Sequence, residues 1–304
     1  MNNLLIGDCR NILPTLEAQS VQCVVTSPPY YNLRDYGVNM QIGQEATYQE
    51  YIDTLVSVFR KVRRVLKDDG TVWLNLGDSY AGSGQGGNLD KNKKLKSMTP
   101  LKQTPLAGLK KKDLIGIPWR VAFALQEDGW YLRQDIIWHK PNVMPEAVKD
   151  RCTKSHEYIF LLSKHKNYYF DAEAIKEPVV SIKGNNKTFR NGGVYTKGQS
   201  YFNSKKIEAE THGNKPNESG KRNKRDVWTI PTHPYKGAHF AAFPLGLVIP
   251  CVLAGSREGD VILDPFFGSG TVAEAAALLN RNWLGIDINP DYEPLYRQRL
   301  ALFA

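Results

Sequence analysis

Residues 261–287 restrict the fold more than any other stretch. They read VILDPFFGSGTVAEAAALLNRNWLGID: an apolar run, a turn containing Gly268 and Gly270, a run of helical length, and a second apolar run ending in Asp287. A buried strand, a glycine turn, a helix and another strand make the unit from which parallel α/β sheets are assembled. The expected elements here are strands at 261–263 and 283–286 around a helix at 271–279. The alternation continues elsewhere. Residues 21–26 read as a buried strand. Apolar residues at 48, 51, 52, 55, 58, 59, 62, 65 and 66 predict an amphipathic helix over 48–67, ended by Asp69-Gly70, with a strand following at 71–76. Further helices are expected at 117–126, with Pro118 in the first turn, at 244–254 and at 291–302. Strand-like runs lie at 131–138, 157–162 and 168–170. The whole predicts one α/β domain over residues 1–304 with a largely parallel sheet.

The glycine turn carries a chemical signal. Asp264 ends one strand four residues before Gly268, and Asp287 ends the next, nineteen residues after Gly268. That spacing suits a carboxylate accepting hydrogen bonds from ribose hydroxyls. Gly268-x-Gly270-x-x-Ala273 also satisfies the dinucleotide fingerprint, so a nicotinamide or flavin enzyme is one reading. A carboxylate at Asp264 would repel a pyrophosphate placed on the helix N-terminus. It favours a cationic ligand without phosphate, and S-adenosylmethionine, with its ammonium and sulfonium, is one. A tight turn in a core βα unit is the plainer alternative.

A second signal is VVTSPPYY, residues 24–31. Two successive prolines cannot continue a sheet, because neither supplies a backbone N–H. The chain therefore leaves the strand rigidly, holding the Ser27 hydroxyl and the Tyr30 ring at its C-terminal edge. That is the edge where open α/β sheets bind ligands. A proline-stiffened loop that merely ends a strand is the alternative.

The net charge of +9 is unevenly placed. Residues 91–113 hold eight Lys against one Asp, and residues 181–226 hold eleven Lys and Arg against four acids. Both segments are rich in Gly, Asn, Ser and Lys, and read as long surface insertions. Phe189, Tyr195, Tyr201 and Phe202 lie among the cations of the second, a pairing that points to a polyanion such as nucleic acid. Cys9, Cys23, Cys152 and Cys251 are scattered without a C-x-x-C pair, so neither a disulfide framework nor a zinc site is expected. Cys152 and His156 stand four apart with no second pair, and no metal is expected. The opening MNNLLIGDCR lacks the features of a signal peptide, and no stretch approaches a membrane span. A protein of the reducing cytoplasm is the expectation.

TSPPY near the start and DPFFGSGT near the end together resemble the amino-group DNA methyltransferases in their β-type motif order. The resemblance also takes in GDSY (77–80), residues 138–171, RDVWTIP (225–231) and HFAAFP (239–244), and fades across the two basic insertions. It implies a Rossmann-like S-adenosylmethionine-dependent fold and a target base flipped out of double-stranded DNA. Members with S-P-P-Y imply the exocyclic N4 amine of cytosine as the target. Ser27 and the Pro28 carbonyl would accept hydrogen bonds from that amine, Pro28 and Pro29 would fix the loop, and Tyr30 would stack on the base. Asp264, Gly268 and Gly270 would surround the methionine part of the cofactor and Asp287 would meet its ribose, with Phe266 and Thr271 also among the cofactor-binding residues. Phe240 and Pro244 would wall the pocket, with Asp8 an acidic position beside it. The basic insertion spans 81–113, and 172–238 would be the target-recognition region. There Lys183, Lys187, Arg190, Lys205, Lys206, Lys221, Arg222, Lys224 and Arg225 would meet phosphates. A cognate restriction endonuclease acting separately is compatible with this reading. The alternatives are adenine-N6 methylation on the same fold, RNA as the substrate, and an inactive nucleic-acid-binding protein. A ring-carbon cytosine methyltransferase would need a Pro-Cys nucleophile; Pro250-Cys251 lies in an apolar helical run and reads as buried structure.

Overall fold

The computed structural model describes residues 2–33, 36–38, 40–82, 108–179, 220–232 and 243–301. They fall into two compact units, Met1–Ala174 with Arg225–Ala304, and Ile175–Lys224. In chain order the strands are β1 (Asn3–Ile6), β2 (Val21–Thr26), β3 (Leu66–Leu76), β4 (Tyr131–His139), β5 (His156–Ser163), β6 (Glu177–Pro178), β7 (Lys221–Arg222), β8 (Val227–Thr229), β9 (Val261–Asp264) and β10 (Asn282–Asp287). The helices are α1 (Cys9–Ile12), α2 (Tyr48–Val65), α3 (Ile117–Glu127), α4 (Leu245–Gly255), α5 (Thr271–Leu278) and α6 (Glu293–Leu300). The second unit holds only the antiparallel pair β6–β7 among its described residues.

The first unit is built on an eight-stranded sheet in the order β1-β10-β9-β2-β3-β5-β4-β8. The five strands from β1 to β3 run parallel, β5 is antiparallel to both its neighbours, and β8 is parallel to β4. All six residues of β2 are buried. A central parallel strand covered on both faces needs a continuous apolar run rather than an alternating one, and VQCVVT nearly supplies it. Helix α2 starts at a capping box, with the Glu50 N–H donating to Thr47 Oγ1 and the Thr47 N–H to Glu50 Oε2, each at 3.2 Å. It buries Tyr51, Ile52, Leu55, Val58, Phe59, Val62 and Val65 against the sheet, along the predicted stripe.

Three sequence expectations change. Asp69-Gly70 is not a break between α2 and the strand, because β3 begins at Leu66 immediately after the helix. Gly70 is required by close approach: a β-carbon there would lie 2.8 Å from the Gln22 carbonyl oxygen of β2. The irregular start is absorbed by a register shift between Val21 and Cys23. Residues 168–170 form no strand. Phe170 instead stacks on Trp73 of β3 at 6.2 Å, and the Arg257 guanidinium sits 3.8 Å from the Tyr169 ring centre. The last helix begins at Glu293 rather than at 291, because Asn289 and Pro290 start a single 3₁₀ turn over Pro290–Tyr292.

The described ends of the first basic insertion are tied together. Ala81 and Asp113 share a backbone hydrogen bond of 2.8 Å, and Tyr80 bridges to Leu114. Lys183, Lys187, Arg190, Lys205, Lys206 and Phe240 lie outside the described residues. No helix among the described residues is long and apolar enough to cross a membrane.

Candidate active site

Because β1, β10, β9, β2 and β3 run parallel, their C-terminal ends open on one edge of the sheet. Register aligns the two carboxylates there, with Asp264 opposite Gly285 and Ile6 opposite Asp287. The turn after β9 takes left-handed conformations at Gly268 (φ 52°) and Gly270 (φ 80°), the second being the N-cap of α5. Asp287 clamps this turn. Its Oδ2 accepts from the Gly268 N–H at 2.7 Å and its Oδ1 from the Asn289 N–H at 2.9 Å. Gly285 leaves room for the Phe267 ring, which lies where a side chain would stand, 2.2 Å from an added β-carbon.

Asp264 is 2% exposed. Its Oδ1 accepts from Thr26 Oγ1 at 2.7 Å and from the Phe266 N–H at 3.1 Å, and neither bond uses Oδ2. Burial raises its pKa to about 7 against the lowering effect of those two bonds, and the Asp287 charge adds to the rise. Burial raises Asp287 as well, against its backbone donors. The fixed negative charge expected at Asp264 is therefore one that a cationic ligand would restore, not one fully present beforehand. Asp8 behaves differently. Burial pushes it up, but the hydrogen bonds and charge of Arg10 outweigh that and leave it below the ordinary range.

The prolines carry the chain away from β2 as the sequence implied, and the Tyr51 hydroxyl holds the Pro29 carbonyl at 2.8 Å. Tyr30 is partly buried, its Cε2 edge against Gly77, where a β-carbon would come within 2.4 Å. Its hydroxyl donates to Glu157 Oε2 at 2.7 Å and stands 3.5 Å from Ser27 Oγ. Asn75 Nδ2 donates to the same Glu157 oxygen at 3.2 Å. Glu157 Oε1 pairs with the Lys140 ammonium, which lies 4.1 Å from the Trp138 ring centre.

One cavity of about 800 Å³ joins these two groups of residues. Ser27, Pro28, Pro29, Tyr30, Asp8, Asp264, Phe266, Gly268, Thr271 and Asp287 all line it. Gly270 and Pro244 do not. Gly270 sits behind the turn against Tyr296 and Phe267, and Phe243 reaches the cavity in place of Pro244. Asn75, Lys140 and Glu157 also line it, and sequence reasoning did not single them out. The signals were there: a polar Asn75 inside the apolar run TVWLNL, and an acid opening the apolar strand EYIFLL. Cys251 is buried in α4 with its thiol on the Leu247 carbonyl, away from the cavity lining. Of the described basic candidates, Lys221 and Arg222 form β7, and Arg222 is paired with Glu177 at 2.8 Å. Arg225 is exposed.

A largely parallel sheet with strand-end acids around a glycine turn is the architecture of S-adenosylmethionine-dependent methyltransferases. Solved structures agree on the fold. A protein of Thermus thermophilus described as a putative DNA modification methylase, complexed with S-adenosyl-L-methionine, superposes with a TM-score of 0.61 at 24% identity, covering 99% of this chain and 94% of that one. The PvuII DNA methyltransferase (cytosine-N4-specific) gives a TM-score of 0.65 at 18% identity, covering 98% and 86%. A family model for N6/N4 DNA methylases matches residues 21–298. The Type II methyltransferase M.SmaI of Serratia marcescens is 48% identical over 98% of this chain and 90% of its own length. M.Cfr9I of Citrobacter freundii, also a Type II methyltransferase, is 45% identical over 98% and 87%. The chain belongs to the N6/N4 amino-group DNA methylase family and is a Type II DNA methyltransferase within it.

Proposed function

We propose that this enzyme transfers a methyl group from S-adenosylmethionine to the exocyclic N4 amine of cytosine in double-stranded DNA. The carrying observation is a neutral serine, Ser27, in the cavity that also holds Asp264 and Asp287. An exocyclic amine is a weak nucleophile, because its lone pair is delocalised into the ring. Hydrogen bonds from its two N–H groups to Ser27 Oγ and the Pro28 carbonyl favour a more tetrahedral nitrogen, with the lone pair aimed at the methyl group. The rigid loop supplies orientation, and Tyr30 supplies a face for the flipped base. No covalent intermediate is needed.

The donor set fits the cofactor. Asp264 Oδ2 is buried and not used by Thr26 or Phe266, which suits an ammonium. Asp287 stands at the strand end where ribose hydroxyls can reach it, while its clamp on Gly268 shapes the turn. Phe266 walls the site. Bound there, S-adenosylmethionine supplies an electrophilic methyl group on sulfur. A related fold described as cytosine-N4-specific accords with the serine reading. The basic segments, including Lys221, Lys224 and Arg225, take the DNA backbone, and 172–238 reads the target sequence. The test is mass spectrometry of nucleosides from DNA methylated by the enzyme. N4-methylcytosine is expected. N6-methyladenine alone would overturn the base assignment, and 5-methylcytosine alone would overturn the role given to residues 26–30.

A further inference from the structure

Tyr30 needs no hydroxyl in order to stack on a base, since a phenyl ring offers the same face. Yet its hydroxyl is engaged by a carboxylate that comes from 127 residues away in sequence. Glu157 stands at the start of β5 and takes three donors at once: the Tyr30 hydroxyl, Asn75 Nδ2 from β3, and the Lys140 ammonium from just beyond β4. Only 16% of the Lys140 and Glu157 side chains is exposed. Both Glu157 oxygens are occupied, Oε1 by the ammonium and Oε2 by the hydroxyl and the amide, so the carboxylate is fixed in place. Along the Cε2 edge of the ring, Gly77 has no side chain to displace it. The ring is therefore held at its hydroxyl and along its edge, with cavity space in front of it.

We propose that Glu157, anchored by Lys140, is a positioning residue that fixes the Tyr30 ring at the angle needed to receive the flipped target base. This rests on the reading of the Ser27–Tyr30 half of the cavity as the base pocket. Glu157 acts through Tyr30 and touches neither the cofactor nor the reacting nitrogen. A mis-set ring costs alignment in the transition state, so the effect falls on kcat rather than on cofactor affinity.

The experiment is a double-mutant cycle with Tyr30→Phe, Glu157→Gln and the pair combined, read by single-turnover methylation at saturating DNA and S-adenosylmethionine. Cofactor binding by calorimetry runs alongside as the check on folding. Each single variant should lose about tenfold in rate with cofactor affinity kept, and the combined variant should be no slower than the slower single one. Additive losses would overturn the proposal, because Glu157 would then act on something other than Tyr30. A matching loss of cofactor affinity would overturn it too, by showing general damage. The Tyr30 hydroxyl also lies 3.2 Å from Asn75 Oδ1, so if Glu157→Gln does not fold, Lys140→Met, which removes the anchor of Glu157, takes its place in the cycle, and losses additive with Tyr30→Phe refute the proposal. Ser27→Ala separates the two levels of the argument. A severe loss there with none in the cycle leaves the base pocket standing and removes Glu157 from it; no loss in Ser27→Ala removes the pocket itself.

Discussion

The two halves of the cavity are built in opposite ways. The half proposed for the cofactor is mostly local: Asp264, the glycine turn and Asp287 fall within one β–turn–α–β unit, and backbone N–H groups bond its carboxylates, with one side-chain bond to Asp264 from Thr26 of β2. The half proposed for the base is assembled from distant segments, with Ser27 and Tyr30 after β2, Asn75 in β3, Lys140 after β4 and Glu157 in β5, joined by side-chain bonds. Their electrostatics differ too. Glu157 has its cation built in, whereas Asp264 feels the charge of Asp287 and neither of them has an ion pair among the described residues. A half that already holds its counter-charge is set before ligand arrives. A half that lacks one is tuned to receive it.

The largest effect should come from Ser27→Ala. Removing the acceptor that meets the amine as it turns tetrahedral should cut turnover about a hundredfold, measured in single-turnover assays with labelled methyl donor. Asp264→Asn breaks the other half, keeping the shape and the Thr26 contact while losing the charge. Cofactor binding should weaken by about 2 kcal/mol, roughly thirtyfold, by calorimetry at pH 8.

The same residue makes cofactor affinity depend on pH. With Asp264 raised to about 7, the ligand-free enzyme holds it protonated below that pH, and a cationic ligand must displace the proton. Affinity for S-adenosylmethionine should rise about tenfold per unit as pH increases towards 7 and then level off, and Asp264→Asn should flatten the curve. The sign for stability is opposite. A carboxylate whose folded pKa is raised contributes stability that is present below its unfolded value near 4 and lost as pH rises through 7. Ligand-free Asp264→Asn should therefore melt at a higher temperature than the parent at pH 8, with the gap closing near pH 4. An equal gap at both would show that Asp264 does not titrate in this way.

This contrast also explains what could be read from sequence. The convergence of Asp264, Gly268 and Asp287 on one cavity was legible because these residues are neighbours in the chain, and strand ends, glycines and acids carry meaning at fixed spacing. The TSPPY loop was legible for the same reason. The Glu157–Lys140–Asn75 support was not, because its members become neighbours only once β5 inserts antiparallel between β3 and β4. Asp69-Gly70 misled because a turn dipeptide and a close-approach glycine look alike until β2 is beside it. The aromatic run at 168–170 misled because rings that pack against a sheet residue have the same composition as a strand within the sheet.

The smallest effect should come from the surface. Replacing Lys221, Lys224 and Arg225 with Gln should leave cofactor binding intact and lower the salt slope of DNA affinity, by about 0.9 for each phosphate no longer neutralised. An unchanged slope would remove these residues from the DNA interface.

The most direct test of the division between the halves is a calorimetric titration of S-adenosylmethionine into Ser27→Ala. Binding within about twofold of the parent enzyme is expected, with the cofactor held, as proposed, by the strand-end acids and the glycine turn. A loss as large as that of Asp264→Asn would contradict it, placing Ser27 in the cofactor site and leaving the base half without its acceptor.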